Sequence, residues 1–397
     1  NNNCFMKEIC PTELCTGCSA CYSACKAKAI TMQKDKYGFE YPEIDPSICL
    51  DCGLCKRVCP NNKKLIKTQC ISSYVCHAKE EQEQLTSTSG GIASVITRYI
   101  IKKGGVVYGC SAQYNMDIKH IRINNENEID KLKGSKYVQS HIGDIYKNVK
   151  NDLLNNKLTL FIGTPCQVAG LKSFLRKEYE NLVTIDFVCH GVPSIQYLKD
   201  SIGKVNVTNL TPCFRYKFFE KKRNTYKSEY GVYLLSKAKE IVYRKAYPKG
   251  LYILGFINAL FYRECCYQCH YATPNRISDF TLGDYHDNEG QYNSLPGYRR
   301  ILSMAMINTI KAEGIWRKIN CHVEYSLCPM ETIIEKHDQL HKPMVKHKNY
   351  SSFRKLYLQY GFKNSVRIAL FQEILEYKKK YIKKILMSVL GIGLLKR

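Results

Sequence analysis

The sequence predicts an α+β N-terminal unit, an α/β domain behind it and a basic helical C-terminal tail. Three observations lead there. Eight cysteines in two evenly spaced runs occupy the first 60 residues. From about residue 70, strand-length apolar segments alternate with segments of helical period. Near the end, lysines interleave with apolar residues at helical spacing. The expected units are residues 1–69, 70–330 and 331–397.

In the first unit, Cys15, Cys18, Cys21 and Cys25 form one C-x2-C-x2-C-x3-C run, and Cys49, Cys52, Cys55 and Cys59 form another that closes on Pro60. This is the ligand arrangement of a two-cluster bacterial-type ferredoxin, in which the fourth cysteine of each run serves the other cluster. Cys15, Cys18, Cys21 and Cys59 are thus assigned to one [4Fe–4S] cluster, and Cys49, Cys52, Cys55 and Cys25 to a second. Zinc held by CxxC pairs is the competing chemistry, but it has no use for a doubled four-cysteine run. Lys26 follows Cys25 where the second run has proline, which alters a turn and not a ligand. Lys26–Ile30 and Tyr37–Pro42 read as short strands with a turn. The two cysteine runs also make the chain's internal repeat.

In the second unit, Ser87-Thr88-Ser89-Gly90-Gly91 precedes a helix over residues 92–101, with a hydroxyl residue as N-cap and Gly104-Gly105 as its end. Residues 106–110 read as a strand. Residues 158–162 form a buried strand leading through Gly163-Thr164-Pro165-Cys166-Gln167 into a helix to about Leu175. Residues 182–188 form another strand, leading into Cys189-His190-Gly191. This spacing implies parallel pairing, and ligands of such sheets gather at the carboxyl ends of strands. Cys166 and Cys189 both sit at such ends.

The chain has 397 residues, of which 45 % are hydrophobic, which excludes global disorder. No apolar run reaches the roughly 18 residues of a membrane span. The opening Asn1-Asn2-Asn3-Cys4 has no initiator Met and no export signal. Twenty-one cysteines in a long chain without such a signal point to metal rather than disulfides, and to a reducing cytoplasm. The formal charge of +25 fits an acidic redox carrier, an anionic membrane surface or nucleic acid as partner, or simply a lysine-rich solvated surface. No nucleic-acid-binding motif is present, so no nucleic acid is expected.

In the tail, residues 351–397 carry 11 Lys or Arg against the two acids Glu373 and Glu376. Ile374, Leu375, Tyr381, Ile382, Ile385, Leu386, Val389 and Leu390 interleave with Lys378, Lys379, Lys380, Lys383 and Lys384. Such a helix lies on an anionic membrane surface, which would make the protein peripheral on the inner face, or packs on its own domain or a second copy.

Cys265-Cys266-Tyr267-Gln268-Cys269 adds another CxxC, which supplies two ligands at most. Cys166 and Cys189 are candidate partners by the strand-end argument; buried cysteines acting as small hydrophobes are the alternative. Six motifs occur in order: Ser87–Gly91, Gly134-Ser135-Lys136-Tyr137-Val138-Gln139-Ser140, Gly163–Gln167, Cys189-His190-Gly191-Val192-Pro193, Cys266-x-x-Cys269 and Ser278-Asp279-Phe280-Thr281-Leu282-Gly283-Asp284. Together they resemble the family of coenzyme F420 hydrogenase/dehydrogenase beta subunits, fused here to a two-cluster ferredoxin-type domain, over roughly residues 1–330.

The resemblance implies an FAD-bearing oxidoreductase with a [4Fe–4S] cluster beside the flavin. It implies Cys166, Cys189, Cys266 and Cys269 as ligands of a third cluster. It implies Ser87, Thr88, Ser89, Gly90 and Gly91 as a turn offering N–H groups to the FAD pyrophosphate, and Lys136 and Ser140 as flavin contacts. Without it, these residues read as a helix cap and a solvated loop. Asp279 and Asp284 read as structural, and His190 as loop structure or a proton donor near the flavin. Tyr285-His286, where relatives often carry Trp, departs at a candidate substrate face. The expected function is an iron–sulfur flavoprotein oxidoreductase that takes electrons from a ferredoxin-like donor and passes them through FAD to an organic substrate or deazaflavin coenzyme. The alternative is an electron-transfer adaptor that feeds a partner enzyme.

Overall fold

The computed structural model describes residues 8–63, 65–220, 225–287, 289–292, 294–295 and 302–389. The opening Asn1–Cys4 stretch and Leu390 lie outside the described residues, as do the side chains of Tyr381, Lys383, Lys384, Ile385, Leu386 and Val389.

The N-terminal unit comprises α1 (Ala20–Ala24), β1 (Ile30–Lys34), β2 (Glu40–Ile44) and α2 (Leu54–Arg57). β1 and β2 pair antiparallel, with Ile30 opposite Ile44 and Lys34 opposite Glu40. Both strands start later than the sequence suggests. Ala29 N–H donates to Cys25 Sγ at 3.3 Å and Lys28 takes a φ of +57°, so Lys26–Ala29 is a turn. The Asp35 carboxylate accepts from the N–H groups of Tyr37 and Phe39, both at 2.9 Å, which makes that segment the hairpin turn.

The chain continues through β3 (Ser72–Ala78), α3 (Glu81–Thr86), α4 (Ile92–Lys102), β4 (Val106–Ala112), β5 (Ile118–Ile123), α5 (Ile145–Leu154), β6 (Thr159–Ile162), α6 (Pro165–Leu175), β7 (Leu182–Phe187) and α7 (Ile195–Ile202). Then come β8 (Thr211–Glu220), β9 (Thr225–Leu235), β10 (Ile241–Ala246), α8 (Leu251–Ile257), β11 (Phe280–Tyr285), β12 (Leu302–Ile307), α9 (Ile310–Ile319), β13 (Val323–Leu327), α10 (Met330–Glu335), α11 (Tyr350–Ala369) and α12 (Phe371–Val389). Eight strands form one mixed sheet in the order β13-β3-β12-β11-β7-β6-β4-β5. Its centre, β11-β7-β6-β4, is parallel, as the strand–helix–strand spacing implies.

Parallel strands need both faces covered. Val107, Leu160 and Ile185 pack with Ile96, Ile100 and Trp316 of α4 and α9 on one face. Val106, Tyr108 and Phe161 pack with Tyr146, Val149 and Leu171 of α5 and α6 on the other. Beside this sandwich lies an antiparallel sheet, β10-β9-β8. It shares a core with α7, α8 and α11 in which Phe39 of the N-terminal hairpin meets Tyr197, Phe261, Phe353 and Phe362.

The boundary expected at residue 331 therefore runs through packed structure. Phe353, Phe362 and Val366 of α11 are buried in that core, and the Arg354 guanidinium sits 3.9 Å from the Tyr37 ring. No helix among the described residues is long and apolar enough to cross a membrane.

Candidate functional site

The two N-terminal cysteine loops fold alike. Ser19 and Gly53 take left-handed φ values of 64° and 66° and turn the chain into α1 and α2, which carry Cys21 and Cys55. Each loop thus ends in a short helix that presents its third thiol. Cys15, Cys18, Cys21 and Cys59 line one pocket, together with Cys10. Asn61 Nδ2 closes it, donating to Leu14 O at 2.7 Å and approaching Cys10 Sγ at 3.8 Å.

Cys25 packs with Cys55 around Cys21, Cys59, Ile9 and Ile30, and Cys55 lies within electrostatic reach of Cys49 and Cys52. Cys52 is exposed, with Leu50 75 % exposed beside it, so the second set borders solvent while Cys18, Cys21 and Cys59 are buried. Burial pushes the Cys18 and Cys21 thiols up, so a strong cation is needed to hold them as thiolates. Among the described residues no three His, Cys, Asp or Glu side chains are close enough to hold a single metal ion; the four expected thiols of the first set line one pocket and are the donor set that a [4Fe–4S] cluster takes.

The third set assembles where the parallel strands end. Pro165 and Cys166 open α6 behind the N-cap Thr164, whose N–H donates to Gln167 Oε1 at 3.0 Å. Thr164 Oγ1 lies 3.2 Å from Cys166 Sγ. Cys189 follows β7, and Cys265, Cys266 and Cys269 lie on and just after a short 3-10 turn at residues 264–268. Cys166 is within electrostatic reach of Cys189, Cys265 and Cys269, and Cys266 of Cys189 and Cys269. The topology therefore brings the four expected residues together, with Cys265 as a fifth thiol. Burial pushes the Cys189 thiol up to about 12.

Arg276 anchors this set. Its guanidinium pairs with Asp186 at 3.0 Å and donates to Tyr271 O at 2.7 Å and Phe187 O at 3.2 Å. His190 points elsewhere: its electrostatic neighbours are Asp284, His337 and Asp338.

The Ser87–Gly91 turn leads into α4, but its N-cap is Gly91 at φ 86° and not the expected hydroxyl residue, because the chain enters the helix through a left-handed turn. Thr88 Oγ1 accepts from Ser135 N–H at 2.8 Å, which ties the 134–140 segment to the turn. Ser89 Oγ and Gly90 N–H both bond Ser303 Oγ at 2.9 Å. The Ser87 hydroxyl is buried with no hydrogen-bond partner, an orphaned donor that suits a polar ligand at the helix N-terminus.

Lys136 and Ser140 are not in a solvated loop. Lys136 Nζ donates to Leu132 O at 2.7 Å and Lys133 O at 2.9 Å. Ser140 Oγ lies 3.0 Å from His120 Nδ1 and accepts from Gln167 Nε2 at 3.0 Å. Burial lowers the His120 pKa to about 4, so the ring is neutral; its Nε2 is 3.0 Å from Ile162 O. A proton on Nε2 then leaves Nδ1 to accept from Ser140.

Asp279 is structural, accepting from Thr184 N–H and Oγ1, both at 2.8 Å, and from Thr309 Oγ1 at 2.7 Å. Asp284 pairs with Arg215 Nη1 at 2.5 Å. Two residues on, Lys217 Nζ donates to Gln84 O at 2.6 Å, just ahead of the Ser87 turn. Burial lowers the Lys217 pKa to about 8. Tyr285 is buried and His286 exposed.

Residues 156–365 match the family described as the C-terminal part of the coenzyme F420 hydrogenase/dehydrogenase beta subunit. The chain belongs to this family. Residues 14–63 match a 4Fe-4S dicluster domain, so the N-terminal unit is of ferredoxin type. Among curated proteins, one of the subunits of the F420H2 dehydrogenase of Methanosarcina mazei is 21 % identical over 219 residues, which are 51 % of this chain and 62 % of the relative. The chain thus spans about three fifths of that relative's length. Among solved structures, a chain of the F420-reducing [NiFe] hydrogenase complex from Methanosarcina barkeri is 12 % identical, with a TM-score of 0.45, over 73 % of this chain and 93 % of that one.

The family match extends past residue 330 into α11, the helix that the packing places in the core. Several site residues carry no sequence signal of their own: Cys10, Cys265, Arg263, Tyr271 and Arg276. Cys265 stands beside an expected ligand, and its doubling with Cys266 is the one available hint.

Proposed function

We propose that this family member is an iron–sulfur flavoprotein oxidoreductase. In this reading it accepts single electrons from an acidic ferredoxin-like carrier in the cytoplasm and delivers them, as pairs from FAD, to an organic substrate or deazaflavin coenzyme. Bound clusters would supply one-electron transfer, and FAD the exchange between single electrons and hydride. Residues 1–69 would form the cluster unit and residues from 70 the flavin unit.

Cys15, Cys18, Cys21 and Cys59 would hold the first cluster, Cys25, Cys49, Cys52 and Cys55 the second, and Cys166, Cys189, Cys266 and Cys269 the third. The Ser87–Gly91 turn would take the FAD pyrophosphate on the α4 N-terminus and the Ser87 hydroxyl. Lys136 and Ser140 would shape that pocket from behind, since their polar atoms are bonded to Leu132, Lys133, His120 and Gln167. The exposed Lys56, Arg57 and Lys63 beside the second set suit an acidic carrier. The curated relative is named as one part of a multi-subunit dehydrogenase, which favours a partner enzyme for this chain as well.

One observation carries this reading: the first and third thiol sets are neighbours. Cys18 of the first set shares one packed cluster with Tyr271, against which Cys166 and Cys269 of the third also pack. Single electrons arriving at the N-terminal unit would then have a short way to the flavin unit.

Cys266→Ser tests it. Protein purified without oxygen should lose about four irons per chain relative to wild type. The double variant Cys265→Ser/Cys266→Ser guards against substitution by the neighbouring thiol. Undiminished iron in both variants would remove the third cluster.

A further inference from the structure

We propose that Arg263 is a positioning residue that clamps the first cluster loop to the third thiol set and, by its buried charge, favours the reduced state of the first cluster. The inference rests on the ligand reading above and adds a residue to it.

Arg263 is 0 % exposed. Its Nε donates to Cys15 O at 2.6 Å, its Nη2 donates to Glu40 O at 2.8 Å and approaches Cys15 Sγ at 3.7 Å, and its Nη1 donates to Gln139 Oε1 at 3.1 Å. Tyr41 packs against it, 4.2 Å from guanidinium carbon to ring centre. Gln139 Nε2 in turn donates to Thr16 O at 3.0 Å. The Cys15–Cys18 loop is thus held by two side chains of the α/β domain.

The loop is shaped to that clamp. Gly17 has φ +64°, and a Cβ there would lie 2.7 Å from Arg263 Nη1. Only glycine allows both the backbone turn and the approach.

The charge has no ordinary partner. Among the described residues no carboxylate lies within ion-pair distance of Arg263, and the Glu40 carboxylate is bonded to His141 at 2.9 Å. Burying a guanidinium without an anion is costly. The anion-forming groups within its electrostatic reach include the thiols of Cys15, Cys18, Cys265 and Cys266, the phenol of Tyr41 and, beyond ion-pair distance, the Glu40 carboxylate. Cys15 belongs to the first set, and Cys265 and Cys266 to the third. A buried cation placed between two cysteine sets, with no carboxylate at ion-pair distance among the described residues, is accounted for when those sets carry net negative clusters.

The sign of the effect follows. Four thiolates around a 2+ core carry about −2, and one-electron reduction by an external donor makes this about −3. A fixed positive charge in a low dielectric favours the more negative state.

The experiment is a redox titration of the full chain, prepared without oxygen, reduced by dithionite and followed by electron paramagnetic resonance, with iron counted in parallel. Arg263→Gln removes the charge, and Arg263→Lys keeps it. We expect Arg263→Gln to retain its iron and to shift the reduction equilibrium of one cluster about tenfold toward the oxidised form, which is about 59 mV for a one-electron couple. Arg263→Lys should keep the wild-type equilibrium more closely. Iron loss in Arg263→Gln but not in Arg263→Lys would also support the charge. An unshifted titration at full iron in Arg263→Gln, or equal iron loss from both variants, would overturn it. Wild-type protein with about eight irons or fewer, rather than about 12, would instead fail the ligand reading itself.

Discussion

Arg276→Met should destabilise the protein by about 3–5 kcal/mol, the usual consequence of stripping one partner from a buried ion pair. Asp186 and Arg276 are joined at 3.0 Å with side-chain exposures of 0 % and 2 %. Asp186 sits on β7 opposite Thr281 of β11, and Thr281 Oγ1 donates to it at 2.6 Å. Removing the guanidinium leaves a buried carboxylate with one hydroxyl donor. It also frees the carbonyls of Tyr271 and Phe187, on the chain segments that carry Cys269 and Cys189. Urea unfolding of the anaerobic protein reads the loss as a lower midpoint. The double variant Asp186→Asn/Arg276→Met should recover part of it, because the uncompensated charge is gone. An unchanged midpoint in the single variant would contradict this role.

Gly170→Ala should weaken the join between the N-terminal unit and the α/β domain. A Cβ on Gly170 would meet Cys18 Cβ at 2.8 Å, Cys18 Sγ at 2.9 Å and Tyr146 Oη at 2.8 Å. None of these yields easily: Tyr146 Oη donates to Gln167 O at 2.7 Å, and Cys18 is buried beneath α6. Overpacking of this kind costs typically about 1–3 kcal/mol. Here it falls on a proposed cluster ligand, so the thermal midpoint should drop and iron should fall by about four per chain. Wild-type iron with a wild-type midpoint would show that Cys18 has room the packing does not suggest.

Much of this architecture is legible in the sequence because it rests on local rules. Cysteine spacing marks the two loops, and their equivalence recurs in the matched left-handed turns at Ser19 and Gly53. Apolar runs and glycine ends give α4, β4, β6, α6 and β7, and the strand-end rule brings Cys166 and Cys189 together. What escapes depends on distant partners. The hairpin slides to Ile30 and Glu40 because Cys25 Sγ and the Asp35 carboxylate take the preceding N–H groups. α11 reads as basic because its lysines and arginines are conspicuous, while its aromatic residues find their core only in three dimensions. Arg263 and Arg276 look like surface charges in a chain with 60 Lys and Arg. Tertiary packing alone puts them beside the thiols. The Ser87–Gly91 turn sits at a helix N-terminus as its sequence suggests, but the polar atoms of Lys136 and Ser140 are spent within the fold.

The central claim is that three clusters and one flavin share this chain. Iron, acid-labile sulfide and flavin content of wild-type protein purified without oxygen tests it most directly. About 12 irons, about 12 sulfides and one FAD per chain are expected. About eight irons with no flavin would leave only the N-terminal ferredoxin-type unit loaded and would contradict the account.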